Sequence, residues 1–562
     1  MNIRRVKWRL VTGFGALGCG LALLASSCTL IVDGDAMTCE TDADCVNHPG
    51  KTACDTSAGV CISADKCTSS SECGAAQICS YASPRTCVDL KQGNCTDVYP
   101  DDEAYYKDDK AVFLGLTAPL SEADVSTGVS IRNGAILAID EINAKGGANQ
   151  EFPLVLISCD DQGNRGPAED NGQTLANMGI QAIIGPAFSG QTIDMTTGPN
   201  YDGEGSIERG VLAISSSATS PDITGLNDLA PACRDTTPDE CPGLVWRTSP
   251  SDKIQGAAMV AYFPELEEIA KNRVAPDPPL TSIKVAILHK GDSYGTNLAQ
   301  TVENTLKFNG DVLALSQPAN YINLDYGDTS QEGVMPDPDK VAMAAAFGAD
   351  VYLLLGTSEL APVLQDIEDN YPGANKPYYV FGDGGLSSEI ATAAAAKGAT
   401  SRVRGTIPGT QSLLFTQFSA RYTNRFPDDQ TGGPEVFGAA GAYDAVYLLS
   451  FAATAARGAQ LLGVEYARGL TKLADTSKAA LEVGSSDFGD VNGSLNNGDT
   501  VNIDGVSGPL DFDITSGEAP SDVQIWCLDS VAGSGTYSTH YFEALTGTMQ
   551  GTPDTGGTNC PF

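Results

Sequence analysis

The chain has 562 residues, of which 33 are Lys or Arg and 71 are Asp or Glu, so its formal net charge is −38. A field of this sign repels phosphate backbones and anionic lipid headgroups, which excludes nucleic acid as a partner. Beyond the N-terminal segment no run of 18 consecutive apolar residues occurs, so we expect no later segment to cross a bilayer.

The first 28 residues carry the pattern of an export signal. Four basic residues precede an apolar stretch from Leu10 to Leu24, and Ala25-Ser26-Ser27-Cys28 follows. An apolar core this short is typical of a signal peptide and not of a membrane span. The small residues before Cys28 resemble a bacterial lipobox, which predicts a signal peptide over 1–27 and acylation of Cys28. An ordinary cleaved signal is the alternative, and Cys19 is a second, weaker acylation site.

These features predict a lipoprotein of the cell envelope of a Gram-negative bacterium, periplasmic or associated with the outer membrane. Each buried CH₂ of an acyl chain contributes about 0.8 kcal/mol, so the lipid anchors the protein whatever its charge. Thr29 follows Cys28, and the choice between inner and outer membrane stays open.

Sixteen cysteines are present, and fourteen remain when Cys19 and Cys28 are set aside. In an oxidising compartment an even number of cysteines predicts disulfides. Residues 28–97 form a cysteine-rich module and linker with two four-cysteine units, which are Cys39, Cys45, Cys54 and Cys61, then Cys67, Cys73, Cys79 and Cys87. Each unit is expected to hold two disulfides, with three pairings possible. Close Cys-x-x-Cys pairs are missing, so no metal site is expected.

The role of this module stays open between a spacer from the membrane and a contact with a partner. The six cysteines outside the two units are Cys95, Cys159, Cys233, Cys241, Cys527 and Cys560. A Cys233–Cys241 bond would close a short loop, and a Cys527–Cys560 bond would hold the C-terminal tail. Cys95 and Cys159 then remain by elimination, and the sequence does not decide these pairings.

From about residue 111, buried strands alternate with amphipathic helices. The first series has strands over 111–116, 154–157, 182–184 and 211–214, and the second has strands over 283–288, 350–355 and 378–381. Such alternation predicts right-handed crossovers and parallel sheets. Two series in more than 400 residues predict an α/β fold with two lobes. The stretches rich in Pro, Gly or Asp are expected to be surface loops, and they cover 221–245, 265–281, 318–338 and 476–500.

Short hydroxyl side chains cluster where three predicted strands end. They occur in residues 187–192, 215–221 and 356–359. In open parallel sheets, ligands bind beyond the carboxyl ends of strands, where helix N-termini offer free N–H groups. Hydroxyls beside such amides suit a carboxylate. The alternative for each segment is ordinary helix capping by Ser or Thr.

At this point the chain resembles the branched-chain amino-acid receptors with a type I periplasmic-binding fold. The segments that carry the resemblance lie at 115–117, 133–147, 159–161, 184–186, 217–221, 289–295, 382–385, 442–447 and 506–513. The resemblance spans about 111–530 and does not cover the cysteine module. It implies two Rossmann-like parallel-sheet lobes joined by three hinge crossings near 250, 407 and 511. Lobe 1 would then comprise 98–250 and 408–510, and lobe 2 would comprise 251–407 and 511–562.

The resemblance also implies an amino-acid site. Ser189 and Thr219 would hold the α-carboxylate of the ligand from lobe 1. The Ser217 carbonyl and the Thr219 hydroxyl would face its ammonium. From lobe 2, Tyr294 would pack on the ligand and Asp383 would neutralise the ammonium.

Two departures from the family pattern leave the ligand open. The family acid normally occupies the position of Gly384, so Asp383 stands one place early. An aromatic residue that often lines the lobe 2 wall is replaced around Thr357 or Ser358, which makes Thr357 a further ligand-binding candidate. The pocket is therefore expected to be more polar than one for leucine. A polar amino acid, an amide and a non-amino-acid carboxylate all remain candidates.

The resemblance implies solute capture for import, with an ABC permease as partner and with no cofactor, metal or catalytic residue. The chain has no Gly-x-Ser-x-Gly, phosphate-loop or His-Glu-x-x-His motif, so an enzyme is not expected. The main alternative is a surface receptor that uses the same clamp to signal ligand occupancy to a partner. A structural or adhesive protein with a vestigial cleft is a further alternative.

Overall fold

A computed structural model describes residue 39 and residues 53–55, 60–62, 66–81, 85–234, 241–273, 280–409, 412–429, 432–528 and 535–552. By its internal contacts the chain divides into residues 1–65 and residues 66–562. Four predictions fall outside the described residues, namely the signal peptide over 1–27, acylation of Cys28 and the roles of Cys45 and Cys560.

In residues 1–65 the described backbone forms one hairpin. Strand β1 (Ala53–Asp55) pairs antiparallel with β2 (Val60–Ile62), and Cys54 lies opposite Cys61. Cys39 is disulfide-bonded. A single two-stranded hairpin is at best marginally stable alone, so we expect this unit to rely on its disulfides.

The second four-cysteine unit holds two disulfides, as predicted. They join Cys67 to Cys79 and Cys73 to Cys87, around a hairpin of β3 (Gln77–Cys79) and β4 (Cys87–Asp89). The sulfurs of Cys67, Cys73 and Cys87 lie within 4.8 Å of one another. Because all three are oxidised in disulfides, they offer no thiolate to a metal ion.

This second unit is not part of a separate module, and the expectation for residues 28–97 was wrong there. Ile78 and Leu90 are buried in one apolar cluster with Val155 and Ile157 of the following domain. A short disulfide loop cannot cover its own apolar side chains. They are therefore buried against the neighbouring sheet.

The first lobe begins with a series of strands and helices that alternate along the chain. They are β5 (Cys95–Tyr99), α1 (Glu103–Tyr106), β6 (Val112–Ala118), α2 (Val125–Ala144), β7 (Leu154–Asp160), α3 (Arg165–Met178), β8 (Ala182–Ile184), α4 (Ser189–Thr197), β9 (Leu212–Ser215), α5 (Pro221–Thr224) and β10 (Val245–Arg247). The sheet order is β10-β9-β8-β6-β7-β5. All pairs are parallel except β5 with β7.

The second lobe repeats this alternation. Its elements are α6 (Asp252–Asn272), β11 (Val285–His289), α7 (Ser293–Thr305), β12 (Lys307–Phe308), β13 (Val312–Leu313), β14 (Tyr321–Asp325), α8 (Pro338–Phe347), β15 (Val351–Leu355), α9 (Leu360–Asn370), β16 (Tyr378–Phe381), α10 (Ser388–Ala396) and β17 (Val403–Pro408). The chain then returns to lobe 1 and finally to lobe 2.

The return to lobe 1 adds mostly helices, which are α11 (Leu413–Arg425), α12 (Ala439–Ala456), α13 (Gly463–Leu470), β18 (Ala480–Glu482), α14 (Phe488–Asn496) and β19 (Asn502–Asp504). The last elements belong to lobe 2 and are β20 (Val523–Leu528), β21 (Gly535–Glu543) and β22 (Thr548–Gln550). The lobe 2 sheet has the order β14-β11-β15-β16-β17-β20-β21-β22. It is parallel from β14 to β17 and antiparallel from there on.

The predicted two-lobe α/β fold is thus confirmed, with antiparallel strands added at one edge of each sheet. The chain passes between the lobes after β10, after β17 and between β19 and β20. The third crossing lies later than expected, because Phe512 and Ala519 still pack in the lobe 1 core. The chain joins the lobe 2 sheet at Val523.

All four predicted surface loops contain regular structure, beginning with α5 (Pro221–Thr224) in the first of them. Helix α6 extends to Asn272, β14 forms an edge of the lobe 2 sheet, and α14 lies within 476–500. Phe488, Val491 and Leu495 of α14 are buried in the lobe 1 core. Their spacing is that of an amphipathic helix, which the intervening Gly and Asn residues conceal in the sequence.

Outside the cysteine units, two disulfides with both partners described lie in lobe 1. Cys95 is bonded to Cys159, which links β5 to β7, and Cys233 is bonded to Cys241 within one loop. Cys527 on β20 is also disulfide-bonded.

Helix α12 forms the centre of the lobe 1 core. It packs on α2, α13 and the strands β8 and β9, and almost all of its side chains are buried. A helix buried on every side is apolar around its whole circumference. Within the described ranges no helix combines the length and the apolar character needed to span a bilayer.

Replacement of Gly134 by alanine tests the close packing of α2 on α12. A Cβ atom at Gly134 would lie 2.2 Å from the carbonyl oxygen of Ala439, so the two helices would have to separate. We expect Gly134→Ala to lower the free energy of unfolding by about 1–3 kcal/mol, as overpacking does. Exposed Gly166 on α3 is the matched control, since a Cβ atom there would meet open space among the described residues. Gly166→Ala should be neutral or slightly stabilising in the same thermal unfolding measurement.

Candidate ligand-binding site

A small cavity of about 30 Å³ lies where strand ends of the two lobes meet. Its lining comprises Thr127, Phe188, Ser189, Ser217, Lys290, Asp292, Tyr294, Thr357, Asp383, Gly384, Leu386, Val436 and Phe437. Five of the six residues expected to bind ligand are in this set. The sixth, Thr219, lies directly beside it, because its backbone N–H donates to Ser189 Oγ.

Ser189 is the first residue of α4 and is almost fully buried. Its Oγ accepts hydrogen bonds from the backbone N–H groups of Thr219 and Ser220, at 3.2 Å and 3.1 Å. An oxygen that accepts two such bonds has its own proton left to donate. Ser189 therefore offers a hydroxyl donor to the cavity, beside the free N–H groups of the first turn of α4.

The loop after β9 forms the rest of the lobe 1 wall. The Ser217 hydroxyl donates to the Ala187 carbonyl oxygen at 2.7 Å, so it ties this loop to the loop after β8. The Thr219 hydroxyl is buried near Asp252 and has no hydrogen-bond partner of normal geometry within the described part of the chain.

Arg247 at the end of β10 supports this loop from behind. Its guanidinium donates to the Ser220 carbonyl oxygen at 2.9 Å and to Thr224 Oγ1 at 3.0 Å, and it pairs with Glu518. The side chain is 1% exposed. A buried guanidinium with this many partners fixes the path of the loop that carries Ser217 and Thr219.

Two buried carboxyl groups of lobe 2, Asp383 and Asp252, lie close enough to interact electrostatically. Asp383 accepts a hydrogen bond from the Tyr294 hydroxyl at 2.6 Å. Both oxygens of Asp252 are buried, and the neighbouring Thr219 hydroxyl opposes the rise of the Asp252 pKa. Burial raises the pKa of Asp252 well above its usual range, and the charge of Asp383 adds to this effect. Burial likewise raises the pKa of Asp383, against the hydrogen bond from Tyr294.

Sequence reasoning missed Asp252. It is the first residue of α6, immediately after the first crossing, with Ser251 as the N-cap. An acid at this position normally indicates only a favourable interaction with the helix dipole. Its place after the carboxyl end of β10 was the one available signal. Asp383 lines the cavity although it stands one place early, because residues 383–385 form a turn of 3₁₀-helix.

Lys290 and Asp292, which follow β11, were also missed. Both line the cavity, and both lie in a segment that sequence reasoning used only to recognise the family. Asp292 caps α7 by accepting from the Gly295 N–H at 2.9 Å. A helix cap explains the acid but not the lysine beside it.

Several hydrogen bonds hold the lobes together next to the cavity. The Ser220 hydroxyl donates to the Ser293 carbonyl oxygen at 3.1 Å, and Asn297 Nδ2 donates to Asp222 Oδ2 at 2.8 Å. Further contacts across the cleft join Ser126 with Glu389 and Arg165 with Asp328. The structure is therefore that of a closed cleft.

A sequence model of the family described as periplasmic binding protein matches residues 111–523, which is most of both lobes. The chain belongs to this family. Among relatives, the Leu/Ile/Val-binding protein BraC3 of Rhizobium johnstonii is 29% identical over 201 residues, which is 35% of this chain and 45% of that protein. A Leu/Ile/Val-binding protein of Citrobacter freundii is 30% identical over 214 residues, which is 37% of this chain and 47% of that protein. The chain thus spans about half the length of the curated relatives it matches.

A solved structure agrees with the fold of this periplasmic binding protein. The branched-chain amino acid transporter substrate binding protein LivJ of Streptococcus pneumoniae, crystallised with isoleucine, gives a TM-score of 0.53. The match covers 76% of this chain and 99% of that protein, at 18% identity. At this identity the similarity establishes the fold alone.

The role of Ser189 in shaping the site of this periplasmic binding protein can be tested without a ligand. Ser189→Ala removes the acceptor of two buried N–H groups, which should cost about 1–3 kcal/mol of the free energy of unfolding. Hydrogen exchange at the amides of Thr219 and Ser220 should become faster. Ser412 caps α11 by accepting from the Phe415 N–H at 3.0 Å, so Ser412→Ala is the control. It should cost about 1 kcal/mol and leave those two amides unchanged. Unaltered exchange in Ser189→Ala would contradict the assigned contacts.

Proposed function

We propose that this protein captures a zwitterionic amino acid or a related carboxylate between its lobes for ABC-type import. The observation that carries the proposal is the cavity that joins Ser189 of lobe 1 with Tyr294 and Asp383 of lobe 2. One wall offers hydroxyl and amide donors, and the other offers a carboxylate. This arrangement complements a molecule with a negative and a positive end.

In the proposed complex, the ligand carboxylate accepts from the Ser189 hydroxyl and from the free N–H groups at the start of α4. The ligand ammonium lies between Asp383 and the Thr219 hydroxyl, with Asp252 behind. A positive charge here would offset two buried carboxylates, each of which is costly to bury alone. The relatives named for leucine, isoleucine and valine also favour an amino acid as the ligand.

The cell-envelope assignment rests on the N-terminal sequence and on the family. The segment up to Cys28 fits an exported lipoprotein, and the even cysteine number fits an oxidising compartment. We therefore propose a lipid-anchored receptor in the envelope of a Gram-negative bacterium, which delivers its ligand to an ABC permease.

Titration calorimetry of the purified protein against amino acids and small carboxylates, with X-ray scattering in parallel, tests the function. We expect binding near micromolar Kd, about −8 kcal/mol, and a smaller radius of gyration with ligand. Asp383→Asn should weaken binding at least about 30-fold, because it removes the partner of a buried charge. Asp366→Asn, at an exposed position on α9, should not. Absence of both heat and compaction for every compound would contradict the proposal.

A second candidate is a sensor that reports ligand occupancy through the cysteine-rich segment. It is favoured by the packing of the second cysteine unit on lobe 1, where the Ser80 hydroxyl donates to the Met178 carbonyl oxygen at 2.9 Å. Co-purification from native membranes distinguishes the two. Permease subunits would support import, and a signalling partner would support sensing.

The buried acid pair predicts a pH-dependent affinity. An ammonium ligand requires ionised carboxylates, and burial raises the pKa values of both acids; the charge of Asp383 raises that of Asp252 further, with Thr219 and Arg247 partly opposing this. Affinity should therefore be full above the raised values and fall as pH decreases through them. The loss should begin well above pH 4, where an ordinary Asp carboxyl with a pKa of about 3.9 titrates. Calorimetry in buffers of different ionisation enthalpy should show proton release on binding. If the affinity stays the same down to pH 4, the proposed role of the two acids is contradicted.

A further inference from the structure

Lys290 is a buried cation in the wall of the ligand cavity. Lys290 is 2% exposed, and its Nζ lies 5.8 Å from the centre of the Phe188 ring. The closest ion-pair contact of Nζ is Asp292 Oδ2 at 3.6 Å, which is longer than a hydrogen bond. Within the described residues Nζ donates no hydrogen bond. An ammonium group with three donors in a cavity wall needs an acceptor that the protein itself does not supply.

The surrounding charges keep this lysine protonated. Burial alone lowers the pKa of Lys290, but the carboxylates of Glu359, Asp292 and Asp124 outweigh it and hold this pKa above its usual range. Lys290 is therefore a donor at any physiological pH.

Thr357 and Asp292, two polar side chains that line the same cavity as Lys290, are acceptors. The Thr357 hydroxyl gives its proton to Glu359, whose carboxylate also accepts from the Thr357 N–H at 3.0 Å and from the Tyr326 hydroxyl at 2.6 Å. Only the lone pairs of Thr357 Oγ1 remain for a ligand. Asp292 uses Oδ1 to cap α7, which leaves Oδ2 with capacity to accept.

We propose that Lys290, Asp292 and Thr357 select an amino acid with a carboxamide side chain, the size of asparagine or glutamine. The amide oxygen accepts from Lys290 Nζ, and the amide NH₂ donates to Asp292 Oδ2 and Thr357 Oγ1. This inference rests on the proposed function, since it assigns the side-chain contacts of the same bound amino acid.

Other side chains match these three groups less well. An aliphatic chain leaves the donors of Lys290 unpaired in a dry cavity, and sites built for polar groups reject ligands that lack them. A carboxylate on the ligand side chain would be repelled by Asp292 and Glu359, and an ammonium would be repelled by Lys290. An amide is neutral and carries one acceptor with two donors, which is the complement of this wall.

Titration calorimetry with L-asparagine, L-glutamine, L-aspartate, L-glutamate, L-leucine and L-lysine tests the inference. The wild-type protein should bind at least one of the two amides at least tenfold more tightly than the other four compounds. Lys290→Met should reduce the affinity for that amide by about 10- to 100-fold, the range expected for a hydrogen bond to a charged group. Thr357→Val should reduce it less, and Lys253→Met, at an exposed position on α6, should leave it unchanged.

The outcomes separate this inference from the proposed function. Binding of leucine in preference to both amides, or an amide affinity unchanged by Lys290→Met, overturns the inference and leaves the receptor function intact. An equal loss for every amino acid in Lys290→Met also overturns it, because Lys290 then pairs with the α-carboxylate. If Lys290→Met does not fold, the wild-type ranking and Thr357→Val decide. No binding and no compaction with any of the compounds contradicts the receptor function itself.

Discussion

Two carboxyl groups buried in one closed cleft are the constraint on which the site depends. Asp252 at the start of α6 and Asp383 after β16 both belong to lobe 2, and the charge of Asp383 raises the energetic cost of ionising Asp252. Desolvated like charges are tolerated only when a positive group stands between them or when they take up protons. The closed state therefore favours a cationic group from the ligand. This couples ligand charge to lobe closure, because opening would expose the same acids to water.

Arg247 connects this site to the hinges. It lies on β10 just before the first crossing and pairs with Glu518, which lies just before the third. The same guanidinium holds the loop of Thr219 through Ser220 and Thr224. One buried cation thus anchors two crossings and the lobe 1 wall of the cavity. At the third crossing Asp444 adds a second anchor, since its carboxylate accepts from the backbone N–H groups of Val506 and Ser507.

The cysteine-rich segment is built into lobe 1 from residue 66 onward. Its apolar residues Ile78 and Leu90 enter the lobe 1 core, and β5 extends the sheet at the edge. Strand β5 also covers β7, so that its bond between Cys95 and Cys159 joins an edge strand to an interior one. Disulfides and burial act together here, because the unit is too small to be stable by either alone.

The two-lobe α/β fold could be predicted from the sequence, because alternating strands and helices admit few arrangements other than parallel sheets with right-handed crossovers. The resemblance to a known family added Ser189, Ser217, Tyr294 and Asp383 as ligand-binding candidates, together with Thr357, and all five line one cavity. The proximity of Asp252 to Asp383, and the lack of a hydrogen-bond acceptor for Lys290 within the described residues, could be read only from the folded structure, since both depend on how distant parts of the chain pack together. The burial of Ile78 and Leu90 against the lobe 1 sheet likewise became visible only in the folded structure. Local patterns report which face of an element is apolar, whereas the surface that covers it is set by the packing of the whole domain.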